Sequence, residues 1–380
     1  MNEDAAIAGH ANALELLRKC MRFSDNPEAM GRLRIQLLAS GETWRAVCEN
    51  AAKTRLTPAL YWRLDERGLL PPIPKTKQRD YLAPAEVLKV LFEENLERRG
   101  EMRQRLVEIV ATLNAQGLTP ILIKGARHLW LEDAPWRTLR DLDLVMPGKE
   151  ADYAQTLLNG IGYRRSEELP DRPNRHHLAP LFRDDLFGWV EIHRRAANPY
   201  AEQFSTTADL AVNAETVSKD GCSALVLTET DHIWHGLLHH QFGHSGFARG
   251  LLDFKGLFEF AALFRELSDA SRRALYEKAA ESALGLTTLE LWLAAAEAEL
   301  GLEPDHEITI GQDARDVAEN WIARGDGKVQ SSIRYPGYRD MLSMGWNSTR
   351  LQKTAAVTSS NRLSLAINVP LMLAPKMRRE

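Results

Sequence analysis

The chain has 380 residues, 44% hydrophobic and 26% charged, a balance that reads as an ordinary globular protein long enough for two or three domains. Its 48 basic and 52 acidic residues leave a formal charge of −4, which argues against general nucleic-acid binding. No apolar run approaches the ~18 residues of a membrane span. The start, "MNEDAAIAGHANALELLRK", lacks the basic-then-apolar order of a signal peptide, and Cys20, Cys48 and Cys222 show no metal-ligand spacing. A reducing, cytoplasmic setting without a membrane partner is the expectation.

Residues 1–115 read as a helical region. Leu and Ala recur at three- and four-residue spacing in "ANALELLRKCM", "TWRAVCENAAKTRL" and the long "EVLKVLFEENLERRGEMRQRLVEIVATLNAQG". The proline-rich "LLPPIPKTK" (69–77) reads as a surface loop between helices.

The texture changes over 116–230. "LTPILIKG" reads as a strand, "ARHLWLED" as a helix, "LRDLDLVMP" as a strand and "GKEADYAQTLLNGIG" as an amphipathic helix. "GWVEIHRR" and "CSALVLTETD" complete the set as strands, an order that indicates a small α/β core. From 231 to 325 the helical pattern returns, and 326–380 reads as an irregular tail whose apolar "LSLAINVPLMLAP" suits a docked segment or a partner contact. The tryptophans Trp130, Trp136, Trp189, Trp234 and Trp292 read as core.

"LRDLDLV" holds the chemistry. On a strand, residues two apart share a side, so Asp141 and Asp143 project together while Leu142 and Leu144 face the opposite, buried side. Two carboxylates this close raise one another's pKa unless a cation lies between them, and a hard divalent ion such as Mg²⁺ answers that need. Glu191 in "WVEIH" supplies a third carboxylate on another strand. Lys124-Gly125 closes the first strand with a positive charge and a residue that permits close backbone approach. No G-x-x-x-x-G-K-[ST] is present, so a P-loop is unsupported.

Jointly, "LIKGARHLW", "APWRTLRDLDLVMP", "LLNGIGYR" and "VEIHRR" resemble an uncharacterised bacterial nucleotidyltransferase family within the DNA polymerase beta-like nucleotidyltransferase superfamily. The resemblance covers roughly residues 40–260 and includes "TWRAVCENAAKTRLTPALYWRL" and "HGLLHHQFGH…RGLLDFKGL". It implies an α+β fold: a small polymerase-beta-like core with a mixed sheet, flanked by N- and C-terminal helical regions. It implies Mg²⁺ (or Mn²⁺) on Asp141, Asp143 and Glu191, with Glu191 also suited to accept a hydroxyl proton. Lys124, Gly125, Arg137, Arg140 and His193 fall on the nucleotide side. Gly125-Ala126 stands where the superfamily usually has Gly-Ser or Gly-Gly, which removes one phosphate contact.

The expected activity is transfer of an NMP from an NTP to an acceptor hydroxyl, with release of pyrophosphate. The acceptor stays open among protein, peptide, small molecule and a specific RNA end. Two rivals are a phosphotransferase acting on a peptide or natural product, and a non-catalytic binding or antitoxin-type module on the same fold. The histidines at 232, 235, 239, 240 and 244, with Asp253 nearby, form no H-E-x-x-H and read as polar support or a capped helix end.

Overall fold

The computed structural model of the chain describes residues 13–70, 84–167, 176–244, 246–303, 308 and 310–325. The expected tail at 326–380 and most of the 69–77 loop lie outside them. The described residues divide into two compact units. One takes the chain up to Ala196, Thr207–Thr228 and Glu299–Gly301; the other takes Ala197–Thr206, Glu229–Ala298 and the chain from Leu302 onward.

The first unit begins with helices: α1 (13–21), α2 (Pro27–Leu38), α3 (Gly41–Lys53), α4 (Thr57–Glu66) and the 31-residue α5 (Pro84–Asn114). Their starts follow ordinary capping chemistry. Asn26 accepts from the Ala29 N–H ahead of Pro27, and Ser40 accepts from the Thr43 N–H.

The sheet follows as β1 (Ile121–Ile123), α6 (Lys124–Leu131), β2 (Asp141–Val145), α7 (Glu150–Gly160), β3 (Arg164–Arg165), β4 (Leu181–Phe182) and β5 (Trp189–His193). It closes with α8 (Thr207–Asn213), β6 (Glu215–Lys219) and β7 (Cys222–Val226). The seven strands lie in the order β3-β4-β5-β2-β1-β7-β6. β2–β5 and β1–β7 are parallel and the other pairs antiparallel, so the sheet is mixed. The fold is α+β with flanking helices, as expected.

The two faces of this sheet differ. Leu122, Leu142, Leu144, Val190 and Ile192 pack under Met102, Leu106 and Ile109 of α5, Ala126 and Trp130 of α6, and Ala154 and Leu158 of α7. On the other face a smaller apolar group joins Ile121, Ile123 and Val145 to Leu210 of α8 and to Ala196 and Leu227. At 25–30 cal/mol per Å², burial of each large aliphatic side chain in the first layer is worth about 1.5–3 kcal/mol.

The second unit is helical: α9 (Glu229–Leu238), a single π-turn (His239–Gly243), α10 (Gly246–Arg249), α11 (Phe254–Glu266), α12 (Asp269–Ala280), α13 (Ala283–Leu300) and α14 (Gln312–Gly325). Trp234, Trp292 and Trp321 are fully buried, whereas Trp189 on β5 is 40% exposed, against the core role expected of it. No described helix is long and apolar enough to cross a membrane, and the three cysteines are free.

Candidate active site

β2 and β5 run parallel in a register that pairs Asp141 with Trp189, Asp143 with Glu191 and Val145 with His193. Alternate residues of paired strands share a face, so Asp141, Asp143, Glu191 and His193 project together. Ile123 of β1 pairs with Asp143 from the other flank. The next residue, Lys124, has φ 48°, left-handed for a non-glycine, and its Nζ lies 2.7 Å from Asp143 Oδ1. His193 Nε2 lies 2.9 Å from the same oxygen and 3.6 Å from Glu191 Oε2.

These contacts set the charges. Burial works to raise the Asp143 carboxyl, but the Lys124 ammonium and the His193 hydrogen bond overcome it and hold the group below the usual carboxylate range. Burial likewise opposes charge on His193 and Lys124, and the Asp143 carboxylate outweighs it, so both are raised. Glu191 is lowered, its burial offset chiefly by the adjacent His193. Asp141 is the exception. Burial and the Asp143 charge push it up to about 6, and its carboxylate makes no hydrogen bond or ion pair among the described residues.

Asp143 Oδ2 is buried without a hydrogen-bond partner among the described residues, a state that costs about 1–3 kcal/mol if nothing satisfies it. Asp143, Glu191 and His193 offer ligand atoms that all lie within 4.8 Å of one another. Two carboxylates and an imidazole, one carboxylate with an orphaned oxygen, fit a divalent cation. The sequence pattern nominated Asp141, Asp143 and Glu191 for this place. The geometry gathers Asp143 and Glu191 with His193, and leaves Asp141 alongside, coupled to them through charge.

The remaining nominated residues fall at different distances from this centre. His193, assigned to the nucleotide side, is fully buried and bonded to the carboxylates instead. Gly125 is the second residue of α6, where a Cβ would meet Leu139 Cδ2 at 2.8 Å and stand 3.5 Å from the Asp141 carbonyl. Close packing of α6 on the start of β2 therefore accounts for the glycine. Arg137 lies in the segment between α6 and β2, and its charge lowers Asp141, so its guanidinium is felt at the site. Arg140 does not join the cluster: its side chain is exposed, and its carbonyl accepts from the Trp189 N–H.

Three groups near the site escaped the sequence reading. His176 and His177 bring their rings within 5.2 and 5.4 Å of the His193 ring, and burial, then the His193 and His177 charges, push His176 down to about 3. The adjacent His-His was their one signal. The third group is Asn95 and Arg99 of α5 with His128 and Asp133, which hold the segment carrying Arg137.

The histidines of the second unit make a separate arrangement. His235 stacks on His239 at 6.3 Å, and His239 meets His244 edge-on at 4.3 Å. Among the described residues they form no group of three close metal ligands. Asp253 caps α11 through the Gly256 N–H and lies 3.6 Å from His240 Nδ1.

The family model described as "Uncharacterised nucleotidyltransferase" matches residues 40–298. The chain belongs to this family. No curated protein and no solved structure matches the chain. The match takes in the whole candidate site and most of the helical second unit. Membership of this nucleotidyltransferase family supports an enzyme and nucleotidyl transfer as its general class of chemistry.

Proposed function

We propose that the protein transfers an NMP from an NTP, bound with Mg²⁺ or Mn²⁺, to an acceptor hydroxyl. The observation that carries the reading is the in-register pairing of Asp143 with Glu191, with the Lys124 ammonium 2.7 Å from Asp143 and Asp141 on the same face. Asp143, Glu191 and His193 would hold the cation, with Asp141 beside them. When bound, the cation would neutralise phosphate charge and ease ionisation of the acceptor hydroxyl.

The chain's own residues do the rest. The acceptor oxygen attacks the α-phosphorus, the bond from that phosphorus to the bridging oxygen of pyrophosphate breaks, and pyrophosphate leaves. The hydroxyl proton passes to a site carboxylate: Glu191, as the family pattern implies, or Asp141, whose oxygens are uncommitted. Lys124 and Arg137 would bind the triphosphate and align it for in-line displacement, which needs positioning and charge more than covalent help. In the absence of the ion, His193 holds Asp143 and Glu191 in place by its two contacts.

The test uses ATP and GTP labelled at the α- or the γ-phosphate, with Mg²⁺ or Mn²⁺ and a bacterial lysate as the acceptor pool. Label should reach an acceptor from the α position alone, and Asp143→Asn should abolish it. Label arriving only from the γ position would make the protein a phosphotransferase.

A further inference from the structure

The segment Glu132–Arg140 enters β2 and carries Arg137. Glu132 and Ala134 sit at φ 60° and 48°, left-handed for non-glycine residues, a conformation that persists only where the surroundings enforce it. The enforcement is visible. Arg99, 8% exposed on α5, donates through Nη2 to the Asp133 carbonyl at 2.5 Å and through Nη1 to the Arg137 carbonyl at 3.3 Å. Asn95, 5% exposed one turn earlier, donates to the Pro135 carbonyl at 3.0 Å and to the Arg137 carbonyl at 3.4 Å. From α6, His128 Nδ1 bonds the Asp133 carboxylate, and Arg127 Nη1 reaches its other oxygen at 3.4 Å.

Three successive odd-numbered carbonyls, 133, 135 and 137, are thus held by two buried side chains of one helix. An arginine and an asparagine buried for structure alone would more simply be apolar residues. Here one bond from each ends on the carbonyl of Arg137, the residue whose charge acts on Asp141.

We infer that Asn95 and Arg99 are positioning residues for nucleotide binding, which fix the backbone of Arg137 so that its guanidinium meets the triphosphate. The inference rests on the proposed nucleotidyl transfer, and specifically on Arg137 as a phosphate contact. Arg99 supplies the fork to two carbonyls that a lysine could not reproduce. Its burial lowers it to about 10, with the nearby Arg137 charge acting in the same direction, so the guanidinium stays charged at neutral pH.

A double-mutant cycle separates this role from general support of the fold. The affinities of ATP and GTP, each with Ca²⁺ and no acceptor, are measured by calorimetry for the full chain. Arg137→Ala should weaken the better nucleotide at least tenfold, as expected for loss of a charge-assisted phosphate contact. Arg99→Gln, or Asn95→Ala should Arg99→Gln fail to fold, should weaken it about three- to tenfold, while Mn²⁺ affinity in the absence of nucleotide stays within twofold. In the Arg137→Ala background the same change should add nothing.

A loss that adds fully in that background, an unchanged affinity in both single α5 variants, or a parallel fall in Mn²⁺ affinity would overturn the positioning role while leaving the site intact. If Arg137→Ala itself changes nothing, or neither nucleotide binds, the phosphate-contact reading beneath it fails first. Arg99→Lys should recover less than half of the lost binding free energy.

Discussion

β2 and β5 present one set of side chains to a dry layer of helices and another to a charged cluster, and the contrast lies within the same ten residues. Leu142, Leu144, Val190 and Ile192 are each no more than 1% exposed and belong to one apolar cluster with residues of α5, α6 and α7. One residue away in each case stand Asp141, Asp143, Glu191 and His193. Asp143 is as buried as the leucines, at 1%, yet it is ionised and keeps one oxygen without a hydrogen-bond partner among the described residues. The apolar face makes these strands a scaffold, and the rigidity it gives is what lets the other face hold four titratable groups in a fixed arrangement.

Reversing the contrast on the apolar side should have the largest effect. Leu144→Asp places an unpaired carboxylate under α5 and α7, a change worth more than about 4 kcal/mol and enough to unfold many domains. Circular dichroism and urea titration should find no cooperative transition. A folded, soluble variant would mean that the helical layer is looser than its packing implies.

On the charged side, Asp143→Asn keeps the shape and removes the central charge. Mn²⁺ affinity, read by electron paramagnetic resonance, should fall by about a hundredfold or more, and NMP transfer should vanish with it. The fold should persist, because Lys124 is 17% exposed in its side chain and can reach water. Retained Mn²⁺ binding would move the cation site elsewhere.

This division of roles was legible in the sequence to an uneven degree. β2 and β5 announced themselves, because alternation of apolar and acidic residues has the strand period, and it gave the correct side for Asp141, Asp143 and Glu191. The strand before Lys124, the helices α6 and α7, and β7 were equally plain, although Lys124 and Gly125, read as the end of that strand, open α6 instead. β6 was missed although "KDGC" carries its hairpin signal: Asp220 and Gly221 take φ 51° and 80° to make a two-residue turn. "ETVSK" is too polar to read as a strand, since it is an edge strand paired on one side only.

The two-residue strands β3 and β4 left no periodicity to find. The placement of His193 was half legible. Its face follows from the period, but its bond to Asp143 depends on a parallel strand register that brings together residues 50 positions apart. Asn95 and Arg99 were hidden for a similar reason, as polar residues within a long, charged helix whose partners are backbone carbonyls 34 to 42 positions away.

A smaller effect distinguishes Asp141 from its neighbour. Its folded pKa, about 6, lies above the ordinary carboxylate value of 3.8, so the unfolded chain ionises first as pH rises. The contribution of this group to stability is therefore fully present below pH 4 and lost as pH rises through 6. In EDTA, Asp141→Asn should stabilise the protein at pH 7.5 by roughly 1–3 kcal/mol, visible as a higher Tm, and the gain should disappear by pH 4. Catalysis should be lost in the same variant, the pattern expected where a strained charge is kept for function. A Tm that falls at pH 7.5 would show that Asp141 is satisfied in the folded protein.

The smallest expected effect concerns Lys124, whose ammonium is drawn into the charged face. Its ammonium takes Asp143 Oδ1, the oxygen that His193 also uses, so a divalent ion on this carboxylate must bind beside a fixed positive charge. Repulsion between them weakens metal binding until another anion draws the ammonium away, and a triphosphate is such an anion. Lys124→Met keeps the stem and removes the charge. Without nucleotide, it should bind Mn²⁺ about three- to tenfold more tightly than the natural protein, and it should bind ATP or GTP more weakly. The metal-free variant should also melt earlier, since Asp143 loses the partner that offsets its burial. Mn²⁺ affinity that is unchanged or lower in Lys124→Met would mean that the ammonium does not compete with the ion. The two faces of the sheet would then differ in polarity alone, and the charged one would bind its metal independently of nucleotide.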